Sequence, residues 1–269
     1  MSSFKLFFLV LSFWIPSAMA DVLVLIHGYL GDSDSWYESG VADVLEKAGW
    51  QDAGKVRLTP SRKVVFSPKS RRRASRRFYA VDLPSEAPLR IQADILVLYL
   101  RAIHRRHPRE RLILVGHSAG GVVARLAMVE HPEIPVYALI TIASPHLGTE
   151  KAEMALTGTM SPLGFIAPLM GAGKLNLSQG LFADLVRERP GTFLYWLNHQ
   201  KHPKAIYISI VRKKGGILSG DFIVPPYSQD MNHVYALRGK AKTIVTEGGH
   251  GLRREDGVLL VRLLKSLES

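Results

Sequence analysis

An uninterrupted apolar run, Leu112-Ile113-Leu114-Val115, leads straight into Gly116-His117-Ser118-Ala119-Gly120. A segment with apolar residues at helical spacing, Val122, Val123, Leu126 and Ala127, leads straight out. A short all-apolar run reads as a strand buried on both faces. The glycines that bracket the turn lack the Cβ that would obstruct a sharp change of direction. The junction is therefore strand, tight turn, helix, a unit that belongs in a parallel sheet whose crossovers are helices. The rest of the chain repeats the alternation. Strands are expected at Val22–Ile26, Phe78–Val81, Arg111–Val115, Val136–Ile142, Ala205–Val211 and Lys242–Val245. Between them, Ile91, Ile95, Leu98 and Ala102 form one helical stripe that ends in basic His104–Arg106, and Gly257–Leu267 forms another. The expected class is α/β, a mostly parallel central sheet with helices on both faces.

One insertion breaks the rhythm. Pro145 to Pro203 separates two strands, against a usual connection of about 2–6 residues. Within it Met154–Gly173 carries no charge but holds Gly158, Pro162, Gly164, Pro168, Gly171 and Gly173, which argue against a regular spanning helix. Residues 145–203 are accordingly expected to form a lid or cap, with a small subdomain packed permanently on the core as the alternative.

The turn would project the Ser118 hydroxyl at the C-terminal edge of the sheet, with the amides that open the following helix facing developing negative charge. Serine is a weak nucleophile and needs a base, itself oriented by a carboxylate. In the order Ser, acid, His, His250 of Glu247-Gly248-Gly249-His250-Gly251 stands just after the last strand and is the candidate base. His104, His107 and His131 sit in polar helix-end contexts and read as surface residues. His146, after the strand ending at Ile142, is expected to line the pocket. Asp221 is the first acid after the Ala205–Val211 strand and is the candidate orienting carboxylate, with Asp230 in reserve. Asp256 follows the histidine and fails the order, and Asp82 is expected to orient loops.

Taken together, His27-Gly28-Tyr29, Gly116-His117-Ser118-Ala119-Gly120, Ala143-Ser144-Pro145-His146-Leu147-Gly148, Asp221-Phe222-Ile223-Val224-Pro225 and Gly249-His250 resemble the α/β-hydrolase superfamily, specifically bacterial triacylglycerol lipases and related lipase-like deacylases. The pieces span nearly the whole chain after residue 20, in family order. Phe222 stands where the family often has glycine after the acid. The resemblance implies Ser118, Asp221 and His250 as catalytic triad, the amides of Tyr29 and Ala119 as oxyanion hole, no cofactor, and ester or lipid substrates. Thioesterase, amidase and acyltransferase chemistry on the same triad are the alternatives. A non-catalytic lipid-surface binding protein is the alternative from another class, opposed by the presence of every triad residue. Secreted relatives often carry a disulfide or a calcium site. A chain with no cysteine cannot form the first, and no acidic cluster presents itself for the second.

Composition bears on partners and location. The net charge of +12 has the look of a nucleic-acid binder, yet residues 55–77 hold ten Lys/Arg and no acid, and removing those ten leaves +2 elsewhere. The stretch lacks interleaved aromatics and contains Pro60, Pro68 and several serines, so it reads as a solvated loop or as a contact for an anionic membrane or lipid surface. Nucleic acid is disfavoured. Residues 1–20, with a basic start, the apolar run Leu6–Ile15 and Ala18-Met19-Ala20, read as a signal peptide cleaved after Ala20. The expectation is a protein exported to a periplasm or the medium, the alternative an uncleaved N-terminal anchor.

Overall fold

Six consecutive residues, Asp21–Ile26, are buried, because the first strand lies in the middle of the sheet. The computed structural model describes residues 20–67, 74–160, 177–213, 221 and 223–268. Strands β1 (Asp21–Ile26), β2 (Gln51–Leu58), β3 (Val64–Ser67), β4 (Arg76–Val81), β5 (Arg111–His117), β6 (Val136–Ile142), β7 (Ile206–Lys213) and β8 (Ala241–Glu247) form one sheet in the order β3-β2-β4-β1-β5-β6-β7-β8. Every pairing is parallel except β2 with β3. The helices are α1 (Ser35–Glu38), α2 (Val41–Lys47), α3 (Leu89–Arg106), α4 (Ala119–Glu130), α5 (Glu150–Met160), α6 (Gln179–Asp184), α7 (Phe193–His199), α8 (Pro226–Gln229) and α9 (Arg254–Ser266). No helix among the described residues is long and apolar enough to cross a membrane.

Side chains of a strand alternate between faces, and β1 builds two cores that way. Val22, Val24 and Ile26 join Leu96, Leu100, Ile103, Val122 and Leu126 of α3 and α4. Leu23 and Leu25 join Trp36, Leu45, Leu260 and Leu264 on the opposite face. Each such fully buried side chain contributes roughly 1.5–3 kcal/mol of transfer free energy, so the sheet is fixed in register from both sides.

Three expectations change. The basic stretch is not simply a loop. Lys55 and Arg57 lie in β2, Phe66 in β3, and Arg76 and Arg77 open β4, while 68–73 fall outside the described residues. The omitted strands bury single side chains in a polar stretch: Val56 between Lys55 and Arg57 in β2, and Phe66 in β3. The insertion, in turn, is partly core. Leu181, Leu194 and Leu197 are wholly buried with α3 and α4, and Asp184 Oδ2 accepts the Leu89 amide at 2.8 Å where α3 begins. Lastly, the uncharged Met154–Gly173 segment begins as helix, since α5 runs through Gly158 to Met160. Arg187 pairs with Glu150 at 2.9 Å and with Glu153 at 3.0 Å, and ties α5 down. Residues 161–176, in the middle of the expected lid, lie outside the described residues.

Candidate active site

The seven parallel strands, β2, β4, β1 and β5 to β8, end on one edge of the sheet, and the expected site residues follow four of them. Ser118 sits between β5 and α4 with φ 51° and ψ −130°, a backbone region costing of order 1–3 kcal/mol for a residue with a side chain. Its amide donates to the Ile142 carbonyl at 2.9 Å, which fixes the turn to the end of β6. The turn is as tight as its glycines allow. A Cβ on Gly120 would lie 2.2 Å from the His27 carbonyl oxygen, and one on Gly116 2.4 Å from the Gly121 Cα.

His250 meets Ser118 from the far side. Its Nε2 lies 2.8 Å from Ser118 Oγ and its Nδ1 2.7 Å from Asp221 Oδ2. An imidazole placed so must carry hydrogen on Nδ1, since a carboxylate only accepts, which leaves Nε2 free to take the serine proton. Asp221 is saturated with donors. Its Oδ1 accepts the amides of Ile223 and Val224, both at 2.8 Å, and its Oδ2 also accepts Gln229 Nε2 at 3.1 Å. The structure thus brings Ser118, Asp221 and His250 into one hydrogen-bonded chain. Asp230 stands apart, its Oδ1 accepting Asn232 N–H at 2.9 Å and Thr243 Oγ1 at 2.8 Å.

The loop after β1 closes the site. A Cβ on Gly28 would meet Ser118 Cβ at 2.8 Å, so only glycine lets this loop pass so near the hydroxyl. The next residue is Tyr29, whose amide donates to no protein group among the described residues. Ala119 is the first residue of α4, where the helix amide has no intrahelical acceptor. His27 holds this loop: Nδ1–H donates to Gly28 O and Nε2 accepts Leu83 N–H, each at 3.0 Å, and burial pushes its pKa down. Asp82 orients loops as expected, accepting the Ser33 amide at 2.8 Å. A hollow of about 400 Å³ opens beside the site between Gly28–Gly31, Ser35, Glu38, Ser39 and Leu252.

Two histidines differ from expectation. His146 is wholly buried rather than open to a pocket among the described residues, with Nε2 3.1 Å from Thr141 Oγ1 and its amide 2.8 Å from the Ser228 carbonyl. His107 is buried too, 2.9 Å from the Tyr79 hydroxyl. Sequence reasoning missed Gln229 altogether. Beyond Asp221 and Val224 it accepts the Arg212 amide at 2.7 Å, and no residue pattern marks a buried amide that bridges two loops. It also missed the buried pair of Arg212 and Asp256 at 2.6 Å, which joins β7 to the start of α9. Among the described residues no group of His, Asp and Glu is arranged to hold a metal ion.

Residues 23–262 match the model of the alpha/beta hydrolase family. The chain belongs to that family. No curated protein is similar enough in sequence to match. Among solved structures, the lin2722 gene product of Listeria innocua is similar at 17% identity and TM-score 0.60, covering 84% of both chains. The mature lipase BlEst2 of Bacillus licheniformis is similar at 19% identity and TM-score 0.58, covering 94% of this chain and 93% of that one. A thermostable carboxyl esterase of Bacillus coagulans is similar at 11% identity and TM-score 0.56, covering 93% and 91%. At such identities the likeness is one of fold.

Proposed function

We propose that this hydrolase is a serine ester hydrolase acting on lipid or other acyl esters. The observation that carries the reading is the unbroken chain from Asp221 Oδ2 through His250 to Ser118 Oγ, with both links under 3 Å. In this reading Ser118 Oγ attacks the ester carbonyl carbon while His250 Nε2 takes its proton. The amides of Tyr29 and Ala119 donate to the tetrahedral oxyanion. Collapse breaks the bond to the alcohol oxygen, which takes the proton from His250, and leaves an acyl-enzyme. Water, deprotonated by His250, then attacks the acyl carbon, and the proton returns to Ser118 as the carboxylic acid leaves. Each oxyanion donor is worth about 100–1000-fold in rate, and no cofactor enters.

Exposed apolar side chains on the segments bearing the proposed machinery favour a lipid-like substrate. Leu30 beside Tyr29 is 56% exposed, and Ile223 beside the acid is 47% exposed. The same reading includes export after cleavage at Ala20 and a lid within 145–203. Residues 1–19 lie outside the described residues. Of the basic stretch, Arg57, Arg62 and Lys63 are exposed with no carboxylate partner among the described residues, whereas Arg76 pairs with Glu268 and Arg77 with Glu110. We assign that edge to contact with anionic lipid; equal binding to neutral and anionic vesicles at every salt concentration would refute this part.

The decisive experiment is hydrolysis of nitrophenyl esters of rising chain length by wild type and Ser118→Ala. The expected result is turnover by wild type, strongest at octanoate and longer, and loss of at least about 1000-fold in Ser118→Ala. Retained turnover in the variant overturns the nucleophile assignment. Preference for acetate replaces lipase-like by small-ester specificity.

A further inference from the structure

The residue that precedes Ser118 has a role of its own. His117 Nε2 lies 2.8 Å from the backbone carbonyl of His250, and the two rings are 5.3 Å apart at 45°. A carbonyl only accepts, so His117 carries its hydrogen on Nε2 and donates it. Burial, and next the neighbouring His250, push the His117 pKa down to about 3, so the ring stays neutral at working pH and does not compete for the serine proton.

The segment that presents His250 needs such a tie. It reads Gly248-Gly249-His250-Gly251, and Gly248 adopts φ 128°. Side chains added at Gly249 or Gly251 would meet nothing within 4 Å. No backbone–backbone hydrogen bond holds residues 248–252 among the described residues. Glycine loses the most conformational freedom on ordering, so a loop like this does not hold its shape unaided. Of the side-chain bonds of His250, the one to Ser118 is broken and remade in catalysis, and the one to Asp221 orients the ring without holding the main chain. Among the described residues one hydrogen bond to that main chain remains, and it comes from the turn that carries the nucleophile.

We propose that His117 is a positioning residue: its Nε2–H fixes the His250 main chain so that base and nucleophile are held in register by one turn. Ser118 reaches the His250 imidazole while His117 reaches the His250 carbonyl, a two-point attachment through adjacent residues. The inference rests on the serine-hydrolase reading, since a register matters only if the proton passes between these groups.

The test compares His117→Gln with His117→Asn. A glutamine amide nitrogen overlies Nε2 of histidine and can reach the carbonyl, whereas the shorter asparagine cannot; both are neutral and polar. Three measurements are made on the full chain: nitrophenyl butyrate kinetics, melting temperature, and the low-field proton resonance of a His Nδ1–H held by a carboxylate. His117→Asn is expected to lose about 10–100-fold in kcat, because displacement of a reacting group by about 1 Å costs on that order. Its KM should stay within about 2-fold and its low-field resonance should broaden or vanish. His117→Gln should restore both. Wild-type kcat and an intact resonance in His117→Asn overturn the proposal, as does a glutamine variant no better than asparagine. If wild type fails to hydrolyse the ester, or Ser118→Ala retains turnover, the hydrolase reading falls instead, and the resonance comparison still decides whether His117 positions His250.

Discussion

Replacing Asp256 by asparagine tests how the end of the sheet is held beneath the proposed base. Asp256 and Arg212 each have side chains 1% exposed, and Arg212 Nη2 lies 2.6 Å from both carboxylate oxygens. The guanidinium also donates to Thr246 Oγ1 at 2.9 Å, while Asp256 Oδ2 accepts the Arg253 amide at 2.8 Å. β7, β8 and α9 therefore meet at one buried charge pair. Removing one partner leaves an uncompensated buried cation, which costs about 3–5 kcal/mol. For a chain of this size each kcal/mol moves the melting temperature by about 2–4 °C, so Asp256→Asn should melt roughly 6–20 °C lower. Arg212→Met combined with Asp256→Leu removes both charges and should recover most of that loss, since an apolar replacement of a buried pair is often close to neutral. The assay is thermal unfolding of Asp256→Asn and of Arg212→Met, Asp256→Leu and their double variant, the last three read as a double-mutant cycle. A loss below about 1 kcal/mol in any single variant, or a double variant as unstable as the sum of its singles, refutes the reasoning.

Three further outcomes are expected. Asp221→Asn should lower kcat by about 10⁴-fold on nitrophenyl butyrate, the cost of a wrong imidazole tautomer, whereas Asp230→Asn should change it less than about 5-fold; comparable losses would reassign the acid. Gly120→Ala should destabilise severely, because its Cβ would sit 2.2 Å from the His27 oxygen, and a soluble variant with the wild-type melting temperature would contradict that packing. His117 and His202 have pKa values pushed down to about 3, and His146 lies well below its usual value, in each case chiefly through burial. Their unfolded forms take up protons near pH 6.5 and the folded forms do not, so stability is full above that pH and is lost as pH falls toward 3. The slope is about 1.4 kcal/mol per pH unit for each group; His202→Gln should flatten the melting curve measured from pH 7 to pH 5, and an unchanged slope argues against the assignment.

The sequence announced the junction around Ser118 because three constraints coincide there: an all-apolar strand, glycines where backbones touch, and an amphipathic helix. His250 and Asp221 were legible through chain order, and the six expected strands all appear. β2 was hidden because its inward residue Val56 stands between Lys55 and Arg57, and β3 because it is a four-residue strand, Val64–Ser67, with a single buried side chain, Phe66. Arg106, at the end of α3, covers Phe66, its guanidinium 3.4 Å from the centre of the ring. His146 was misplaced because a histidine after a strand carries no mark of how deeply its loop is covered. Here Asn198 of α7 reaches its carbonyl at 3.1 Å from an insertion expected to stand away from the core. Gln229 and Arg212 left no trace for a similar reason: their partners lie 5–44 residues away and follow no fixed spacing.

The central position of β1 has a consequence for how the chain reaches this state. Asp21–Ile26 is the first strand among the described residues, yet it is hydrogen-bonded to β4 on one side and β5 on the other. During synthesis its neighbours do not exist until Val81 and then Gly116 have been made. Until then an apolar ribbon stands with both edges unpaired, the condition under which segments capture each other. Pairing of β1 must therefore wait for sequence-distant partners, as loop closure over such spans is slow, and that interval is when the strand is most open to mispairing.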